Sequence, residues 1–294
     1  MKSHLFAMAC VLAVFTAEAQ HSKLQIGVEY GYLFGIHPQN LGSEISGSGL
    51  TGNNLTETAL TGSYGRGMSP GIFVDYYLTE HIAIGFSADY HLGCVITSGG
   101  GNLAGLGSVT SESRSQWLRI APRLSFQVPV GEKFHMIARA GPDFTPMTRI
   151  SSTTRGSLDF DLPTDIPFPL PGLDLSGEFT EEWQGRFGVG VQFQVGFGMK
   201  ISELIDLNLS LDYRGYTFVS ASYEISDFEF AGFPVPAGFL DTYDTQANYV
   251  NELNASSNNE AYNDNANRNQ PREELAERFN ASALGARISL VFKL

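Results

Sequence analysis

Disulfide chemistry is the first thing this chain lacks. It has two cysteines, Cys10 lies within an apolar N-terminal segment, and removal of that segment would leave Cys94 alone. A disulfide framework is thereby excluded. Long apolar runs are missing as well: beyond the N-terminus nothing approaches the roughly 18 consecutive apolar residues that read as a membrane helix. Charge is sparse, with Asp, Glu, Lys and Arg at 17% of the chain and a net charge of −13. There is no glycine-rich phosphate loop, no Cys/His cluster at metal-ligand spacing and no basic patch, so neither cofactor nor nucleic acid is expected.

What is present begins with an export signal. Lys2 precedes an apolar core from Leu5 to Phe15 and an Ala17-Glu18-Ala19 cleavage pattern, so residues 1–19 read as a secretory signal peptide and the mature chain starts near Gln20. The apolar core continues past Cys10, which argues against lipidation there. Aromatics make up 12% of the chain and glycines number 32, a mixture suited to repeated aromatic-bearing strands. Acidity is local. Residues 143–182 hold eight acids and two bases, and residues 219–282 hold eleven acids and three bases, which leaves the rest close to neutral.

The clearest pattern runs from Trp183 to Met199. Phe187, Val189, Val191, Phe193, Val195, Phe197 and Met199 occupy the odd positions, while every even position from Gln184 to Gly198 is Gln, Arg or Gly. Alternate side chains of a strand face opposite ways. One face is therefore oily and the other polar and cramped, the pattern of a transmembrane β-strand with lipid outside. The same two-residue period recurs at 24–34, 72–78, 82–92, 118–128, 134–141, 205–214 and 284–294. Short connections (79–81, 129–133, 200–204) alternate with long ones (35–69, 93–115, 143–182, 219–282). With short turns periplasmic and long loops external, Tyr76, Phe126, Phe134, Phe197 and Phe292 fall at the periplasmic ends. Tyr30, Tyr32, Tyr90, Trp183 and Tyr213 fall at the external ends. Two aromatic girdles result.

On these features residues 20–294 resemble the small outer-membrane β-barrels of the OmpA/OmpX type, porin-like proteins. The ending Arg287-Ile-Ser-Leu-Val-Phe-Lys-Leu294 is similar to the C-terminal strand by which such barrels are recognised for insertion, with Leu294 where the family usually has Phe or Trp. The resemblance implies an all-β fold: a single antiparallel transmembrane barrel of eight strands, or ten if 155–178 or 221–240 adds a membrane hairpin. It implies the bacterial outer membrane, with lipid and the barrel-insertion machinery as partners. Two-domain relatives append a peptidoglycan-binding domain after the last strand; here that strand ends the sequence, so no such role is expected.

The inward set contains Glu29, Asp75, Asp89, Asp206 and Asp212 against Arg119, Arg123, Arg139, Arg186, Arg214 and Arg287. An eight-stranded lumen has room for side chains and little else, and buried charges must be paired. Such a set reads as a salt-bridged plug, or as a narrow pore gated by rearranged pairs. Asp89 and His91 share a face near the outer end of their strand, as in outer-membrane proteases. Those enzymes need further acidic partners, and a polar lumen pair explains the spacing equally well. His37 and His81 lie in loops, away from the lipid face a lipid-modifying Ser/His site would use, so no enzyme is expected.

The loops at 143–182 and 219–282 interleave acids with apolar residues. They read as strand extensions packing on one another, or as a surface for a protein partner or hydrophobic ligand. Asp159, Asp161 and Asp165 have oxygen ligands suited to Ca²⁺, at a spacing common in flexible acidic loops. Asn248 to Asn269 reads as flexible, and Pro271 to Phe279 as a short helix with Pro in its first turn. The expected role is structural or adhesive at the cell surface, with a narrow pore or hydrophobic-solute transporter as the alternative. For the latter, Pro122 is the place to look for a gap in the wall, because proline cannot donate to the ladder.

Overall fold

A computed structural model describes residues 23–48, 55–104, 107–158, 175–235 and 240–294. The signal segment 1–19 with Cys10, and the calcium candidates Asp159, Asp161 and Asp165, lie outside the described residues.

Alternation along the chain yields strands almost throughout. They are β1 (Leu24–Gly35), β2 (Gln39–Ser48), β3 (Leu55–Gly62), β4 (Gly67–Tyr77), β5 (Ile82–Gly93), β6 (Ile96–Ala104), β7 (Gly107–Pro129) and β8 (Phe134–Leu158). Then come β9 (Leu175–Gly185), β10 (Gly188–Lys200), β11 (Ile205–Gly215), β12 (Thr217–Phe230) and β13 (Phe233–Pro234). One helical turn, α1 (Thr242–Thr245), precedes β14 (Gln246–Val250), β15 (Arg272–Leu275), β16 (Arg278–Asn280) and β17 (Ala283–Lys293).

Antiparallel pairing leads from β1 to β4, β5, β7, β8, β10, β11 and β17, and β17 pairs back onto β1. This circuit closes on itself and so hides its own edges. Hydroxyls shape the short turns at one end of the ring. Thr79 Oγ1 accepts from the His81 and Ile82 amides, and Ser202 Oγ from the Leu204 amide.

The eight strands of this ring belong to a larger sheet of seventeen among the described residues. Segments expected as loops are themselves strands. Residues 35–69 carry the β2–β3 hairpin, and 93–115 carry β6 and the start of β7, with β2 and β6 paired in parallel. Residues 143–182 continue β8 and enter β9, which pairs with β8 and β12. The ring therefore runs on into an extension at the end opposite the short turns.

Two further expectations are corrected, the helix at 271–279 and the single strand from Trp183 to Met199. Pro271 to Phe279 forms no helix: Arg272–Leu275 pairs in parallel with β14, and Arg278–Asn280 pairs with β12. Ladder partners override local helix preference. The Asn-rich stretch is tied by its own amides. Asn258 Nδ2 donates to the Asn267, Gln270 and Pro271 carbonyls, and its Oδ1 accepts from the Asn267 amide. Finally, Trp183 to Met199 is two strands. Pairing leaves one ladder at Arg186–Phe187, where the Arg186 amide donates to the Val219 carbonyl. The break changes which face each parity occupies. Phe187 is exposed on the outside, whereas Trp183 packs inside the extension beside Tyr223. Trp183 is thus no part of an external girdle.

Candidate functional site: a charged interior beneath a strand extension

Burial along the ring is inverted relative to a water-soluble sheet. On β10 the outward Val189, Val191, Phe193, Val195 and Phe197 are each 44–63% exposed, while Gln192 and Gln194 are 6% exposed. The same inversion holds for Ile72, Val74 and Tyr76 against Asp75, and for Ile84 and Phe86 against Asp89.

Inside, the charges form one alternating chain. Asp143 meets Arg119 at 3.3 Å, Arg119 meets Asp89, and Asp89 meets Arg214 at 2.8 Å. Arg214 meets Asp212 at 3.0 Å, Asp212 meets Arg287 at 2.9 Å, and Arg287 meets Glu29. Glu29 lies 4.0 Å from Arg123, which grips Asp75 through two 3.0 Å hydrogen bonds, and Asp75 also faces Arg139 at 3.5 Å. Five carboxylates thus alternate with five guanidinium groups. Each charge neutralises its neighbours, the condition under which ions tolerate burial. Neutral side chains extend the chain: Gln192 accepts from Arg119, Gln194 from Arg139, and Ser69 from Arg214.

The Phe73 ring lies between two of these cations, 4.2 Å from Arg123 and 4.5 Å from Arg139. Cations are drawn to a ring face. Gly27 opposite leaves the space, since a Cβ there would meet the Phe73 ring at 2.3 Å.

Nine of the eleven charges expected inside are links of this chain. Asp206 is buried but separate, paired with Lys293 at 2.7 Å near the short turns. Arg186 is a correction: at the β9–β10 break it donates to Asn251 Oδ1 and the Tyr249 carbonyl, both at 2.7 Å, within the extension. Asp143 is the member absent from the inward set expected of the sequence, because the expected loop 143–182 begins there. The inward series His135, Arg139, Gly141 points to it.

Asp89 and His91 do not work as a pair. The Asp89 carboxylate is held by Arg119, Arg214 and Ser69. His91 stacks on Trp117 at 3.8 Å, and neither ring nitrogen has a hydrogen-bond partner among the described residues.

Of the expected girdle residues, Tyr30, Tyr76, Phe126, Phe134, Phe197 and Phe292 are exposed on the outer face, and Tyr32, Tyr90 and Tyr213 are half-buried. Registers Ile82↔Phe126, Phe197↔Met136 and Ile205↔Phe292 place three of them beside the short turns.

Around Pro122 the wall has a chemical gap. Pairing of β7 with β8 includes Ile120↔Phe144 and Leu124↔Ala140 but nothing between. That register sets Pro122 opposite Pro142. Pro122 keeps its place against Phe86, and Pro142 against Val191, so the imino nitrogens of both point at each other. Neither has a hydrogen to give. An open groove of about 660 Å³ lies over this point, walled by Val74, Tyr76, Ile84, Phe86 and Leu124. The backbones nonetheless stay close, as a Cβ on Gly141 would meet the Pro122 carbonyl at 2.1 Å.

Above the charges an aromatic layer of Tyr64, Trp117, Tyr216, Phe218 and Phe279 closes the interior towards the extension. Burial and the adjoining Glu181 hold the Tyr223 phenol well above its usual pKa, and burial pushes Tyr249 up to about 12. No group of three or more His, Cys, Asp or Glu disposed to hold a metal occurs among the described residues.

No family model matches the chain, and no curated protein matches it. Among solved structures, the outer membrane protein AlkL in DMPC lipid bilayers is similar over 95% of both chains, at 11% identity and a TM-score of 0.33. The outer membrane protease OmpT from Escherichia coli is similar over 96% of this chain and 100% of its own, at 9% identity and a TM-score of 0.28.

Proposed function

We propose that this chain is an eight-stranded β-barrel of the bacterial outer membrane, exported by its 1–19 leader and non-enzymatic. Its lumen is closed by the alternating charge chain, and its strand extension is displayed at the cell surface in a structural or adhesive role. The observation that carries the reading is the inverted burial around a closed ring. Exposed Val, Ile and Phe on every outer face would be costly in water, whereas hydrocarbon accepts them, and a closed ring meets the demand that every backbone group be paired in lipid. The plug follows from the charges, whose guanidinium groups bridge from wall to wall. β17, paired on both sides, is the segment the insertion machinery would handle.

The test is reconstitution into planar bilayers. A folded, membrane-inserted protein without steady current is the expected result. Sustained open-channel conductance overturns the plug, and failure to insert overturns the barrel.

The gap at Pro122 and Pro142 supports a second reading, lateral passage of a hydrophobic solute through the wall. Replacing both prolines with valine supplies the missing N–H groups. If hydrophobic-solute uptake into proteoliposomes is real and uses this point, the P122V/P142V variant loses it; undiminished uptake rules the route out.

A further inference from the structure

Above the aromatic layer, the extension encloses a half-open cavity of about 240 Å³. Its wall is built by register: Ser113, Ser152 and Glu181 stand in one row across β7, β8 and β9, and Ile150 and Trp183 stand in the next. Tyr64, Phe279 and Glu277 line the other side. Two carboxylates and three aromatic rings therefore share one small space.

Its polar groups are incompletely satisfied. Ser152 is 3% exposed and lines the cavity, and its hydroxyl makes no hydrogen bond among the described residues. Glu181 accepts from the Tyr223 hydroxyl at 2.9 Å. Arg272, the cation that bears on Glu181, is engaged by Glu274 at 2.6 Å. Glu277 has no ion pair among the described residues, and the charge that bears on it is Glu274, which repels it. The cavity is thus acidic, aromatic-walled and short of a cation.

We propose that this cavity binds a small organic amine, with the ammonium between Glu181 and Glu277, within reach of the Ser152 hydroxyl, and the apolar body against Trp183, Tyr64 and Phe279. An ammonium gains from carboxylates and ring faces together. The surrounding acidic extension raises local cation concentration.

Benzylamine is the probe and benzyl alcohol its neutral counterpart, titrated into the refolded full-length protein in detergent micelles. The readout is intrinsic fluorescence, for which Trp183 on the wall and Trp117 in the floor are the chain's two tryptophans. Benzylamine should give a saturable change that benzyl alcohol does not. Glu277→Gln, which gives up no partner, should weaken it about tenfold or more, the scale of a hydrogen bond to a charged group. Glu181→Gln should do the same while also loosening Tyr223. Equal response to benzyl alcohol overturns the proposal, because the signal is then apolar partitioning. Unchanged benzylamine affinity in Glu277→Gln overturns it as well.

Discussion

Asp75→Asn is the sharpest probe of the interior. The side chain keeps its shape, and one negative charge disappears between Arg123 at 3.0 Å and Arg139 at 3.5 Å, with Asp75 fully buried. Two guanidinium groups are left flanking the Phe73 ring, and Glu29 at 4.0 Å is the remaining acid beside Arg123. A unit-charge pair at 4 Å is worth about 4 kcal/mol at an effective dielectric near 20, and breaking a buried pair from one side costs about 3–5 kcal/mol. We expect a loss of that size. Asp75→Asn with Arg139→Gln restores neutrality and should recover at least about 2 kcal/mol, as contacting partners couple on this scale. The assay is equilibrium urea unfolding of the refolded protein in micelles, followed by tryptophan fluorescence and by gel mobility with and without heating. A loss below about 1 kcal/mol, the range of solvent-exposed pairs, would refute the reasoning. So would strictly additive effects in the double variant.

Other perturbations test other parts. Pro122→Val with Pro142→Val adds two ladder hydrogen bonds at about 0.5–1.5 kcal/mol each, which should raise the urea midpoint. Gly27→Val drives a side chain into the Phe73 ring and should cost about 1–3 kcal/mol as an overpacked site, read by the same unfolding curve. Arg268 bonds Asp241, Asp244 and Glu260 at once, so Arg268→Ala should speed proteolytic cleavage within 241–270 while the ring stays folded. Burial raises the Glu181 and Glu277 carboxyls above their ordinary value of 4.5. The unfolded chain therefore loses these protons first as pH rises, and the extension should be most stable below pH 4.5 and weaken as pH climbs through the raised values. Hydrogen exchange of β9 and β16 amides checks this; protection rising from pH 4 to 7, after correction for intrinsic rates, contradicts it.

The sequence makes the ring's strands legible wherever one face meets an apolar surround and the other a crowded interior. Val191, Phe193 and Val195 against Gln192 and Gln194 carry that period openly. In the extension the contrast fades. β6 reads Ile-Thr-Ser-Gly-Gly-Gly-Asn-Leu-Ala, with no alternation to separate it from a loop. Phase was the other obstacle. The break at Arg186–Phe187 exchanges the inner and outer faces, and so does the extra residue of β8 between Phe144 and Met147, so counting by twos carries Trp183 and Arg186 to the wrong side. Asp143 keeps the inward phase of its strand and is hidden only by the expected loop boundary at 143. The pairing of individual charges, and the meeting of Pro122 with Pro142, depend on register between strands, and a single chain read alone does not encode register visibly.

The alternating charge chain also bears on assembly. Its members come from β1, β4, β5, β7, β8, β11 and β17, and the Glu29–Arg287 link joins the first strand to the last. An unclosed sheet holds Arg287 apart from Glu29, so Arg287 keeps only Asp212 and Glu29 keeps only Arg123 at 4.0 Å. Full pairing of the charges arrives only with closure. The open sheet is therefore penalised until β17 docks on β1, and the first and last strands of the ring act as a single latch.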